Sequence, residues 1–173
     1  NFNMIKVIDN FLPENEFNNI RNVMLSNNAP WYYNNYVASK KEKNFDLINH
    51  YYYHMIFEDN YFRKSMLFET VIPILDRLDV VALKRIKANF YPQTKKIYEH
   101  KFHKDYLMTH QGALFSINTN NGSTIFKDGT KVKSVANRLL KFNPAEYHKS
   151  TTCNDAFARV NININYFEYD SKR

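Results

Sequence analysis

Apolar residues recur at helical spacing early in the chain and at strand spacing later, and the change of period predicts the architecture. Met4 to Ile8 reads as a short strand. Pro13, with Glu14 and Glu16 behind it, opens a helix, because proline suits a first turn and acids suit its positive end. Phe17, Ile20, Val23 and Met24 share one face of that helix, which should stop near Ser26-Asn27-Asn28. Trp31 to Val37 is aromatic and fits a strand or an ordered loop, and the polar run from Ser39 to Asp46 fits a mobile loop. His50 to Phe57 reads as a tyrosine-rich strand. Met66, Val71, Leu75 and Leu78 give helical spacing to Phe62–Leu78, with a kink or break expected at Pro73.

From Val80 onward strands take over. Leu83, Arg85, Lys87 and Asn89 alternate with Lys84, Ile86, Ala88 and Phe90, and Pro92 ends the run. Short strands follow at Ala113–Thr119, Ser123–Lys127, Val132–Ser134, Arg138–Phe142 and Ala158–Tyr169, separated by turns at Asn120-Asn121-Gly122 and Asp128-Gly129. The fold class predicted is mainly β with flanking helices around a jelly-roll core. One domain is expected over 1–173, with a helix-rich support over 1–80 and the β core over 81–170.

Composition narrows the chemistry. At 173 residues with 44% apolar content the chain can bury a sizeable core. A single cysteine, Cys153, allows no internal disulfide, no multi-cysteine zinc site and no iron–sulfur cluster held by this chain alone. Any metal must therefore sit on histidine and carboxylate. No apolar run approaches a membrane span, and the first residues lack the basic and apolar regions of a signal peptide, so a cytoplasmic setting is expected. The net charge of +7 comes from scattered lysines without a basic helical stripe. It predicts a solvated basic surface rather than a nucleic-acid site.

Candidate chemistry concentrates between His103 and Arg159. Residues i and i+2 on a strand share a face, so His103 and Asp105 can grip one ion together. His148, from a distant strand, would complete a two-histidine, one-carboxylate set that leaves positions of an iron(II) ion open. His100 and His110 have the wrong parity to join without a turn or bulge, and His50 and His54 read as packing or solvent residues. In the last strand Val160, Ile162, Ile164 and Tyr166 form an apolar face. Arg159, Asn161, Asn163 and Asn165 form a polar one. That polar face is either a solvated sheet edge or the lining of a wet pocket where a guanidinium fork meets a carboxylate. Taken with the upstream elements, the pocket is preferred.

His103-Lys104-Asp105, His148 and then Arg159 eleven residues on resemble the iron(II)- and 2-oxoglutarate-dependent dioxygenases, in particular their prolyl-4-hydroxylase-like branch. Val7-Ile8-Asp9-Asn10-Phe11-Leu12-Pro13 resembles that family's opening strand and first helix. Ala88-Asn89-Phe90-Tyr91-Pro92 resembles its strand with a cosubstrate tyrosine, Asn121-Gly122-Ser123-Thr124 its turn before the next barrel strand, and Leu139–Phe142 the apolar strand before its distal histidine. The resemblance implies a double-stranded β-helix, iron on His103, Asp105 and His148, and Arg159 on the distal carboxylate of 2-oxoglutarate. Tyr91 would contact the cosubstrate near its iron-chelating end, with Thr124 close by and Asn161 on the same face. The turn has one glycine where two are usual, Ser116 stands where some members have a tyrosine, and Asn161 replaces a serine.

Implied with these are O2 as oxidant, ascorbate as an optional reductant, and hydroxylation of a C–H bond with release of succinate and carbon dioxide. The substrate expected from the resemblance is a prolyl residue in a peptide or protein, with a free amino acid or other small molecule as the alternative. Ser39–Asn44 or Thr94–Tyr98 would cover it. A non-catalytic cupin-like metal-binding module is the competing reading outside the class, and it leaves Arg159 without a purpose.

Overall fold

The computed structural model describes residues 5–38, 49–61 and 63–169. Its elements are β1 (Lys6–Ile8), α1 (Glu14–Met24), β2 (Tyr32–Asn34), β3 (Tyr51–Glu58), β4 (Arg63–Lys64), α2 (Phe68–Arg77), β5 (Val80–Pro92), β6 (Gln111–Ser116), β7 (Ser123–Phe126), β8 (Lys131–Lys133), β9 (Leu139–Phe142), β10 (His148–Ser150) and β11 (Ala158–Glu168). A single 3₁₀ turn, Asp59–Tyr61, links β3 to β4.

The strands form two antiparallel sheets. The larger runs β1-β9-β6-β11-β5-β3-β2, with β4 added to β3, and the smaller runs β10-β7-β8. This is the mainly β, double-sheet jelly roll that the strand spacing predicts. The first 80 residues contribute more than helices, since β1 pairs with β9 and β3 pairs with β5 in the larger sheet.

Strand β11 lies at the centre of that sheet, between β5 and β6. Its even residues (Val160, Ile162, Ile164 and Tyr166) pack into one core with Phe17, Ile20 and Met24 of α1 and Val71, Ile74 and Leu75 of α2. The helices therefore cover the outer face. The odd residues face inward, and they too are shielded: Arg159, Asn161, Asn163 and Asn165 are all below one-tenth exposed. A solvated sheet edge is ruled out. A second, small apolar cluster of Phe126, Leu140 and Phe142 fills part of the space between the sheets.

Three local expectations are refined. The second helix begins at Phe68, not Phe62, because Arg63 and Lys64 pair with β3 instead. Met66 fitted the helical spacing by coincidence and is 84% exposed. The helix continues through Pro73, which removes one N–H without breaking the run. Tyr32–Asn34 resolves the aromatic segment as a strand. The expected mobile loop at Ser39–Asp46, including the cover at Ser39–Asn44, lies outside the described residues. Among the described residues no helix is long and apolar enough to cross a membrane.

Candidate active site

Two backbone hydrogen bonds bring the two candidate ligand histidines together. His103 N–H donates to the His148 carbonyl at 2.9 Å and His148 N–H returns a bond to His103 at 3.0 Å. This one-residue antiparallel bridge sets the rings side by side, with centroids 4.7 Å apart and planes tilted by 53°. Asp105 follows at a bend, where its N–H donates to the Pro144 carbonyl at 2.9 Å. The same-face argument for His103 and Asp105 therefore reaches the right neighbours by the wrong route, because the pair lies on a bridge and a bend, not on a regular strand.

His103, Asp105 and His148 each offer a ligand atom, all within 4.8 Å of one another. Asp105 Oδ1 stands 3.7 Å from His103 Nε2 and 3.8 Å from His148 Nε2. Metal bonds of about 2.1 Å place adjacent donors about 3 Å apart, so small side-chain movements inward would close the set on an ion. Both Nδ1 atoms face backbone carbonyls, of Lys101 at 3.3 Å and Glu146 at 2.9 Å. A proton held at Nδ1 leaves each Nε2 lone pair free for metal. Burial keeps the His103 pKa below the ordinary histidine value, helped by the neighbouring His148. Burial alone would raise the Asp105 carboxyl, but Arg85, His148, Lys87 and His103 together hold it well below the usual carboxylate range. The donor set is thus a neutral imidazole at His103 and an ionised carboxylate, the state a divalent cation needs.

Asp105 is also held from behind. Its Oδ2 accepts from Asn163 Nδ2 at 2.9 Å, Asn163 Oδ1 accepts from Asn165 Nδ2 at 2.6 Å, and Asn165 Oδ1 lies 2.9 Å from His110 Nε2. This ladder fixes the carboxylate so that Oδ1 turns toward the histidines. His110, which the parity argument sets aside as a ligand, anchors its far end. His54 bonds Pro30 and Ser65, and His100 bonds Ser150, all outside the triad.

At the other end of the same narrow cavity lies Arg159, 1% exposed. Its Nε donates to Ser134 Oγ at 2.8 Å, Nη1 to the Thr151 carbonyl at 3.1 Å and Nη2 to Thr124 Oγ1 at 2.9 Å. A guanidinium has five N–H donors, so one remains on each terminal nitrogen. Among the described residues no carboxylate pairs with Arg159, and burial lowers its pKa for want of one. A buried guanidinium with an N–H left on each terminal nitrogen has the geometry to take a carboxylate. Gly122 makes room for it: a Cβ there would stand 2.7 Å from Arg159 Cδ. The single glycine of the turn is thereby explained, and Ser134 and Thr151 are supports that no local pattern signals.

Thr124 accepts from Arg159 and keeps its own hydroxyl proton to donate. Asn161 lines the cavity and accepts from Asn89 Nδ2 at 3.0 Å. Tyr91 is paired opposite Arg159, its ring 5.8 Å from the guanidinium carbon and stacked on Tyr51 at 5.5 Å. Its backbone is in register with Arg159, and its side chain lines the cavity. Ser116 is buried on the neighbouring strand, opposite Asn161. Thr94–Tyr98 is pinned to the segment after β10, through Thr94 N–H to the Cys153 carbonyl at 3.0 Å and Tyr98 N–H to Thr152 Oγ1 at 2.9 Å. Those anchors do not suit a cover that opens.

No protein-family model matches the chain, and no curated protein sequence matches it. Solved structures do. A prolyl hydroxylase from Trichoplax adhaerens, in complex with a hypoxia inducible factor oxygen degradation domain peptide fragment, superposes with a TM-score of 0.62 at 14% identity, over 96% of this chain and 84% of that one. A 2OG-Fe(II) oxygenase-family oxidoreductase from Burkholderia pseudomallei gives 0.66 at 11% identity, over 96% and 86%. The non-heme alpha ketoglutarate dependent epimerase SnoN from nogalamycin biosynthesis gives 0.63 at 11%, over 96% and 77%. The fold of this chain is the one shared by prolyl hydroxylases and other 2-oxoglutarate–iron(II) oxygenases.

Proposed function

We propose that this protein is an iron(II)- and 2-oxoglutarate-dependent oxygenase that hydroxylates a C–H bond. The observation that carries the reading is Arg159: a buried cation without an acidic partner among the described residues, sharing one cavity with a two-histidine, one-carboxylate cluster. A metal-binding module without turnover would have no use for the vacant fork.

In this reading His103, Asp105 and His148 hold iron(II), and Arg159 receives the distal carboxylate of 2-oxoglutarate. Thr124 donates its hydroxyl to the same carboxylate, and Tyr91 and Asn161 shape the wall beside it. Bound iron with its cosubstrate supplies the oxidising chemistry, consuming O2 and releasing succinate and carbon dioxide. The protein's part is positional. Phe142, edge-on to His148 at 5.0 Å, and Leu114 give the cavity an apolar wall that limits water. The asparagine ladder holds Asp105 Oδ2 and so would leave Oδ1 for the metal. Arg159 fixes the cosubstrate's orientation from the far end. A prolyl residue is the substrate class this reading favours, in keeping with the prolyl hydroxylases among the structures of similar fold. The test is succinate release from 2-oxoglutarate with and without iron(II), across a panel of prolyl peptides and free amino acids. Mass spectrometry should find one added oxygen atom in the substrate. No iron-dependent succinate release by the wild type under any panel member contradicts the reading.

A further inference from the structure

A second cation lines the cavity, neither a member of the triad nor a support of Arg159. Lys87 stands on β5 opposite Asn163, the residue that holds Asp105. It lies four residues before Tyr91 on the same strand, and the two side chains converge on Tyr51, whose ring stacks on that of Tyr91. Its Nζ has one long hydrogen bond, 3.4 Å to the Tyr51 hydroxyl, and sits 5.5 Å from that ring's centre. Among the described residues no carboxylate is within ion-pair distance of Lys87. Two residues back on the same face, Arg85 Nη2 lies 3.5 Å from Asp105 Oδ2, yet its Nε and Nη2 are buried without a hydrogen-bond partner.

Once a divalent metal draws on Asp105, Arg85 loses much of its counter-charge. The two carboxylates of 2-oxoglutarate already have partners, Arg159 at one end and the metal at the other. Lys87, which lines the cavity, and Arg85 behind it are then a pair of like charges at low dielectric, and an anion in the cavity beside Lys87 would relieve their repulsion. Building on the oxygenase reading, we propose that Lys87, backed by Arg85, selects substrates that carry a carboxylate beside the C–H bond to be hydroxylated. The acid is the α-carboxylate of a free amino acid or an acidic side chain next to the reacting residue in a peptide.

The test measures binding to zinc-loaded, 2-oxoglutarate-saturated protein, which cannot turn over. Matched acid and amide probes are compared: proline with prolinamide, aspartate with asparagine, and a prolyl tripeptide with Asp or Asn beside the proline. The wild type should prefer the acid by about tenfold or more in at least one pair, which also tells a free acid from a peptide side chain. Lys87→Met should bring that ratio to about one, and Lys87→Arg should keep it. Equal binding of acids and amides by the wild type overturns the proposal, as does a preference that survives in Lys87→Met. A tenfold weaker affinity for 2-oxoglutarate itself in Lys87→Met also overturns it, because the ammonium would then serve the cosubstrate. Absence of 2-oxoglutarate binding in the wild type, measured before any probe is added, is the separate failure of the oxygenase reading.

Discussion

At the residue scale, the decisive side chain is a buried arginine with no carboxylate partner among the described residues. Arg159 is held by three neutral acceptors and left with a free N–H on each terminal nitrogen. Replacing it with methionine should weaken 2-oxoglutarate binding by about 100-fold or more while metal affinity stays near wild type, as calorimetry on metal-loaded protein would read. Gly122→Ala is a gentler version of the same test. The new methyl would press on the Arg159 stem and the Thr152 carbonyl, so the cosubstrate KM should rise about tenfold. An unchanged KM would mean the stem is free to shift. The residue types at these positions are legible in sequence, and so is the arginine's place on a polar face. Its isolation from acids is not, because that depends on which distant strands surround it.

At the scale of elements, β11 is the most legible part of the chain and β10 among the least. Alternation is a local property, so the two faces of β11 read directly from Arg159 to Tyr166, and the structure buries both. The meeting of His103 with His148 depends on a reciprocal backbone pair across 45 positions, which no local period encodes. Arg85 and Lys87 show the same division: their alternation on β5 is visible, but the surplus charge beside Asp105 emerges only when β5 pairs with β11. The asparagine ladder gives this scale its own test. Asn163→Leu should free Asp105 Oδ2 and lower metal affinity about 10- to 100-fold, with the fold retained because β11 keeps its pairing. Metal titration of the two proteins would measure it, and equal affinities would show that the ladder is only packing.

At the scale of the whole molecule, buried titratable groups tie stability to pH. His103 and His54 are both held below the ordinary histidine value of 6.5 by burial, so the unfolded chain takes up protons that the folded one resists. Metal-free protein should be most stable above that value and lose stability as pH falls through the histidine range. Asp105, depressed below its ordinary 3.8, adds a further loss at lower pH. Thermal melting of metal-free protein should therefore show Tm falling between pH 7.5 and 5, and a flat profile would contradict the burial of these groups. Bound metal should reduce the fall, because it competes with protons for the same nitrogens. The jelly roll itself was predictable from the shift of period near Val80, whereas the enclosure of a polar interior was not, since it needs helices, two sheets and β11 assembled together. The central claim is that metal triad and arginine form one site for a metal-chelating dicarboxylic acid. The most direct measurement is anaerobic titration of iron(II)-loaded protein with 2-oxoglutarate. The account predicts one equivalent bound, with affinity largely lost in Arg159→Met and in Asp105→Ala. Absence of binding by the loaded wild type, or binding indifferent to both substitutions, would contradict it.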